Sequence, residues 1–209
     1  MMTAQCDTST RPYVTWLLSV AMVVTYGWIV LTSQNDPFSI LKIYDAYALY
    51  PNRLNWMEHA MTSLSALFIH ATWSHLVVNL VVFLITAPSL ERYVGPMVFA
   101  LFYGVCGMVG NLAEITIDPI IGVPVVGAST AIAGIAGAVV VLRARPKTQR
   151  NLTDNRAFFV AVVTCFWIVV PLPDWAKFVS TQADIAQVGH TSGMIAGMIA
   201  AILYRQKFS

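Results

Sequence analysis

Ser129 and His190 are the two residues of this sequence best fitted to do chemistry together. Ser129 stands in an otherwise apolar run, Gly127-Ala128-Ser129-Thr130-Ala131-Ile132-Ala133-Gly134, and His190 lies near the start of another, Gly189 to Met198. A hydroxyl becomes a nucleophile when a neighbouring base takes its proton, and serine with histidine is the smallest set that does this. Polar groups inside stretches apolar enough for a bilayer are costly and tend to mark a functional site. The pair therefore points to a serine hydrolase built within a membrane.

A further polar group, His70-x4-His75-x3-Asn79, opens another apolar stretch. On a helix, positions 75 and 79 share one face. Histidine and asparagine both donate hydrogen bonds, which is what a developing oxyanion requires. His70, nearest the interface, is expected to anchor a helix end. Gly134 and Gly137 follow Ser129, and Gly193 and Gly197 follow His190. Small residues at such spacing let two helix backbones approach closely in a membrane. That approach would bring an imidazole within the roughly 2.6–3.2 Å that base catalysis needs. Other chemistries lack their residues. Glu58-His59 has no second histidine four positions on, as a zinc protease helix requires, and no phosphate-binding or dinucleotide glycine pattern is present. Paired mid-membrane acids for an aspartyl protease are missing as well. No metal and no cofactor is expected, and Cys6, Cys106 and Cys165 are scattered as small buried apolar side chains would be.

The elements that must position these residues follow from composition. Of the 209 residues, 57% are hydrophobic and 11% charged, against about 25% charged in a soluble domain; mean hydropathy is +0.68. Charge-free intervals run over 13–35, 59–90, 93–113, 119–142, 157–173 and 185–204. Each can hold an apolar helix of about 20 residues. The spacing predicts an all-α membrane protein of six transmembrane helices: about Val14–Thr32, a second ending near Ser89, Pro96–Ile115, a fourth beginning near Ser129, Ala157–Val170 and Ala186–Tyr204. A long first loop, roughly Ser33–Trp73, is rich in aromatic residues and is expected to lie partly in the membrane interface, where Trp and Tyr are favoured. The breaker-rich stretch Pro119–Gly127 is apolar yet cannot be regular helix, and such backbone survives at membrane depth only when buried in protein or facing a water-filled cavity. The fourth helix must then begin below the surface, with Ser129 at its head. Residues 1–12 read as a short tail, 13–205 as one membrane domain and 206–209 as a second tail.

Basic residues set the orientation. Arg11, Arg92, Arg143, Arg145, Lys147, Arg150, Arg156, Arg205 and Lys207 fall on the side that holds both termini, whereas Lys42, Arg53 and Lys177 fall on the other with most of the acids, Glu114 among them. Both termini are expected to be cytoplasmic, with the His75, Ser129 and His190 helix ends toward the opposite face. The net charge of +2 is a topology signature and carries no nucleic-acid footprint. The first apolar run exceeds a typical signal-peptide core and has no clear cleavage site after it, so it reads as a retained helix.

With these motifs in order, the sequence resembles the rhomboid intramembrane serine proteases. The likeness rests on His70, His75 and Asn79, on Gly127-Ala128-Ser129, on His190, Gly193 and Gly197, and on Glu91-Arg92-Tyr93-Val94-Gly95, across about Met61 to Ala201. The resemblance implies a six-helix rhomboid bundle with a Ser129–His190 dyad that lacks an acid partner. It implies an oxyanion hole from the Ser129 N–H, His75 and Asn79, with His70, Gly127, Gly193 and Gly197 in structural roles nearby. It implies transmembrane or juxtamembrane protein substrates, met in the lipid of a plasma (inner) membrane and cut by an active site open to the non-cytoplasmic side. Three positions depart from the family pattern: Thr130 where glycine usually follows the serine, Ala133 where a tyrosine often packs on the imidazole, and Thr62 in place of a first-loop arginine. The alternative is a catalytically weak or inactive rhomboid-fold protein that binds membrane clients. A small transporter would need paired ionisable groups near the midplane, and the sequence has none beyond the histidines. No pattern specifies an oligomeric state.

Overall fold

A computed structural model describes residues 11–34, 36–50, 55–117, 123–143, 155–169 and 187–208. The described chain is helical: α1 Tyr13–Ser33, α2 Pro37–Tyr47, α3 Trp56–Ser65, α4 Trp73–Val94, α5 Pro96–Ile117, α6 Ser129–Arg143, α7 Asn155–Val169 and α8 Gln187–Phe208, with a short 3-10 turn at Ala66–Phe68.

By length and composition, α1, α4 and α5 can each cross a membrane, while α6 and the first part of α7 are shorter apolar helices. The difference from six predicted spans has a physical reason. A 15-residue helix such as α6 rises only about 22 Å, which suits an element that begins inside protein. The start of α8 carries Gln187, His190, Thr191 and Ser192, which dilutes its apolar character. Every residue from Thr130 to Val139 of α6 is buried, with α4, α5, α7 and α8 packed around it. Phe83, Leu90 and Phe99 share one core with its Ile135 and Val139, with Phe83 edge-on to Tyr103 at 5.8 Å between ring centroids. Outward faces stay apolar: Trp16, Leu17, Val20, Val24 and Leu31 of α1 are exposed, as befits helices in contact with lipid chains.

The predicted first loop holds two helices. Asp36 caps α2, accepting from the Ser39 N–H, with Pro37 at the first helical position; Asn55 caps α3, accepting from the Met57 N–H. The stretch before α6 is extended and satisfied by protein. Val125 and Leu49 exchange backbone hydrogen bonds of 2.8 and 3.3 Å, and the Gly127 N–H donates to the Ala66 carbonyl at 2.9 Å. The first-loop region thus carries the strand-like entry to Ser129. Its exact predecessor, residues 118–122, lies outside the described residues, as do Cys6, Arg145, Lys147, Arg150, Lys177, Asp174 and Asp184.

Two helix ends differ from the sequence reading. α4 continues past Pro88 to Val94, and α5 runs to Ile117. In each case a carboxylate that resembles a loop boundary is buried inside the bundle: Glu91 is 2% exposed and Glu114 is 4% exposed. Glu91 accepts hydrogen bonds from the Val14 N–H, the Thr15 N–H and the Thr15 hydroxyl at 2.9, 2.8 and 2.7 Å. It thereby closes the N-terminus of α1, whose first N–H groups have no carbonyl in their own helix.

Candidate active site

Ser129 is the first residue of α6 and His190 lies in the first turn of α8. Their side chains meet, with His190 Nε2 2.7 Å from Ser129 Oγ. This is within the distance for direct proton transfer to a base. The first backbone bond inside α6 runs from the Ile132 N–H to the Ala128 carbonyl. The N–H groups of Ser129, Thr130 and Ala131 therefore precede the helical ladder and form its positive end, where negative charge is favoured.

His75 approaches from α4. Its backbone N–H is capped by the Thr72 hydroxyl at 3.1 Å, and its imidazole covers Gly127. A Cβ placed on Gly127 would lie 2.6 Å from His75 Cε1 and 2.7 Å from Nε2, and Gly127 has φ +113°. Position 127 accepts glycine for two separate reasons, backbone conformation and the ring above it. The His75 ring is thereby set against a residue two positions before Ser129. His70 is buried behind it, with its ring edge-on to that of His75 at 5.1 Å. His70 Nδ1 lies 3.3 Å from the Phe68 carbonyl, while its Nε2 has no hydrogen-bond partner among the described residues. Asn79 is buried and turns one amide N–H back to the His75 carbonyl at 2.9 Å, leaving its second N–H for another acceptor.

The glycines hold α6 and α8 together backbone to backbone. A Cβ on Gly193 would collide with the Thr130 carbonyl, one on Gly197 with the Gly134 carbonyl, and one on Gly137 would come within 2.6 Å of the Met194 carbonyl. The small-residue spacing seen in sequence is thus a zipper that fixes how near the Ser129 and His190 helices come.

Helix α5 reaches both. The Thr130 hydroxyl donates to Asn111 Oδ1 at 3.0 Å, and Asn111 Nδ2 donates to the Ser63 carbonyl of α3 at 2.9 Å. Glu114 Oε2 accepts the Gly189 N–H at 2.5 Å. Sequence reasoning assigned Glu114 to an outward-facing boundary and passed over Asn111. The available signal was a polar pair three residues apart, and hence on one face, in a long apolar helix.

Two comparisons bear on this arrangement. A family model described as "Rhomboid domain" matches residues 57–207. The chain belongs to the rhomboid family. It is 27% identical over 144 residues to the "Putative rhomboid protease YdcA" of Bacillus subtilis (strain 168), covering 69% of this chain and 67% of that protein. It is 32% identical over 145 residues to the "Rhomboid-like protease 3" of Toxoplasma gondii, covering 68% of this chain and 50% of that protein. The match to the second relative thus spans half of that protein's length. Family membership makes this a membrane protein and supports a role in intramembrane proteolysis.

The positions at which this rhomboid departs from the pattern have local explanations. Thr130 fits because the opposing position is glycine: a Cβ on Gly110 would lie 2.7 Å from Thr130 Cβ. Ala133 is buried against Met194 of α8. The Thr62 hydroxyl donates to the Glu58 carbonyl of its own helix at 2.7 Å.

Proposed function

We propose that this rhomboid is a serine endopeptidase that cuts transmembrane or juxtamembrane segments of other membrane proteins. The observation that carries this reading is the 2.7 Å approach of His190 Nε2 to Ser129 Oγ at the head of an apolar helix. Ser129 Oγ attacks the scissile carbonyl carbon while His190 Nε2 takes its proton, giving a tetrahedral intermediate. The oxyanion is received by the Ser129 N–H, His75 and the free N–H of Asn79, groups that act where charge develops. The C–N bond then breaks as His190 returns the proton to the leaving amine, and an acyl-enzyme remains. Water attacks the ester with His190 again as base, releasing the new carboxyl terminus and regenerating Ser129.

The same reading gives the chain six spans, both termini in the cytoplasm and an active site opening to the non-cytoplasmic face of a cell membrane. The charge distribution supports this orientation, and the non-helical stretch from Val123 to Ala128 supports a fourth span that starts within the protein. Cleavage of a transmembrane reporter by the protein reconstituted in vesicles tests the reading. Wild type should cut it and Ser129→Ala should not; cleavage that survives Ser129→Ala would sink the serine mechanism. Asn79→Ala should lower kcat by about 10²–10³-fold, as for loss of one oxyanion donor, with KM little changed. A change confined to KM would make Asn79 a packing residue.

A further inference from the structure

Helix α5 holds the sequence neighbours of both Ser129 and His190 through buried side chains one helical turn apart. Asn111 is fully buried. It accepts from the Thr130 hydroxyl at 3.0 Å, beside Ser129, and its amide is held in turn by the Ser63 carbonyl at 2.9 Å. Glu114 accepts the Gly189 N–H at 2.5 Å, beside His190. Gly189 lies in the first turn of α8, so its N–H lacks an acceptor within that helix, and a carboxylate there also meets the positive end of the helix. Gly110 completes the contact: a Cβ there would fall 2.6 Å from the Gly189 carbonyl and 2.7 Å from Thr130 Cβ. The helices of the nucleophile and of the base therefore converge on one turn of α5.

We infer that Asn111 and Glu114 are positioning residues for the reaction, a two-point strut on α5 that sets the distance between Ser129 and His190. The inference rests on the proposed dyad for its catalytic meaning. The glycine zipper sets how near α6 and α8 come along their length. Glu114 adds a tie at the start of α8, and Asn111, through Thr130, adds one at the start of α6. A displacement of about 1 Å at a reacting pair is enough to cost on the order of 10²-fold in rate.

The test is inactivation of the purified protein by a fluorophosphonate, resolved into kinact and KI, together with hydrogen exchange of the segment 187–192. Glu114→Leu removes the acceptor of the Gly189 N–H, and Thr130→Val removes the hydroxyl that donates to Asn111 and also lies 3.4 Å from the Gly107 carbonyl, both with little change in volume. Each should lower kinact by about 10–100-fold with KI unchanged and the protein folded. Glu114→Gln and Thr130→Ser keep an acceptor and a donor, and should restore most of kinact. Exchange at Gly189 should quicken in Glu114→Leu and stay slow in Glu114→Gln. If wild type reacts while Glu114→Leu and Thr130→Val react equally fast, the strut is wrong. If their losses merely follow loss of folded protein, Asn111 and Glu114 are structural and the inference also falls. If wild type itself fails to react, the proposed function fails, and the exchange of Gly189 alone decides whether Glu114 holds α8. Should Glu114→Leu not fold, Thr130→Val and its rescue by Thr130→Ser carry the same decision.

Discussion

Two buried glutamates in this molecule make the same kind of contact and serve different ends. Glu91, late in α4, closes the N-terminus of α1 through three donors on Val14 and Thr15. Glu114, late in α5, closes the N-terminus of α8 through the Gly189 N–H. Both place an acceptor against unsatisfied N–H groups at the positive end of a helix. The difference is what stands next in the chain. Beyond Thr15 comes a lipid-facing helix with Trp16 and Leu17 exposed; beyond Gly189 comes His190, 2.7 Å from Ser129. One contact fastens an outer helix to the bundle; on the proposed mechanism the other aims a base, so the same kind of contact would act on stability in one place and on rate in the other.

The contrast can be broken or sharpened by substitution. Among substitutions outside the reacting groups, the largest effect on rate should come from Gly197→Ala, on the helix Glu114 holds, because even a methyl group there runs into the backbone of Gly134. Overpacking of this kind costs about 1–3 kcal/mol and pushes α8 off α6. Reporter cleavage should fall at least about tenfold per folded molecule; an unaffected rate would mean the pair tolerates a wider helix separation than the zipper implies. Glu91→Leu should come next, strictly in stability. It strands three donors at the start of α1, and each buried unsatisfied donor costs about 1–3 kcal/mol. Thermal unfolding should shift down by several degrees while the rate per folded molecule stays unchanged. A fall in kcat at unchanged stability would erase the distinction between the two glutamates.

The smallest effect should come from Asp36→Ala at the exposed cap of α2. Hydrogen bonds from the Ser39 side chain and backbone hold the Asp36 carboxyl below its ordinary value. Its contribution is present above the pKa of the unfolded chain and is lost as pH falls through the lower folded-state value. The variant should therefore be slightly less stable than wild type near neutral pH and equal to it in strong acid. A stability difference that persists in strong acid would show that something other than the ionised cap is lost.

The Ser129–His190 contact was legible in the sequence because both residues stand out against apolar neighbours, and Gly193 and Gly197 were legible because their spacing is that of a helix contact. The entry of α6 at Ser129 was legible too, since Pro119 to Gly127 cannot be helix in hydrocarbon. The strut was not. A glutamate at the edge of an apolar run looks the same whether it ends a helix in water or closes another helix inside protein. Glu91 and Glu114 each sit at such an edge, and only the tertiary contact separates the two cases. Thr130 looked like a departure from pattern because its partner, Asn111, is 19 residues away and its space is vacated by Gly110 on another helix. The helices of the first loop left a clearer trace that composition concealed. Asp36-Pro37 and Asn55 are ordinary helix starts, yet the aromatic content drew attention to the interface instead.

The most direct test of the central claim is fluorophosphonate labelling of the purified, folded protein in three forms: wild type, Ser129→Ala and His190→Ala. Wild type alone should be labelled, because on the proposed mechanism Ser129 is nucleophilic only with His190 as its base. Labelling of His190→Ala at the wild-type rate, or no labelling of a folded wild type, would contradict it.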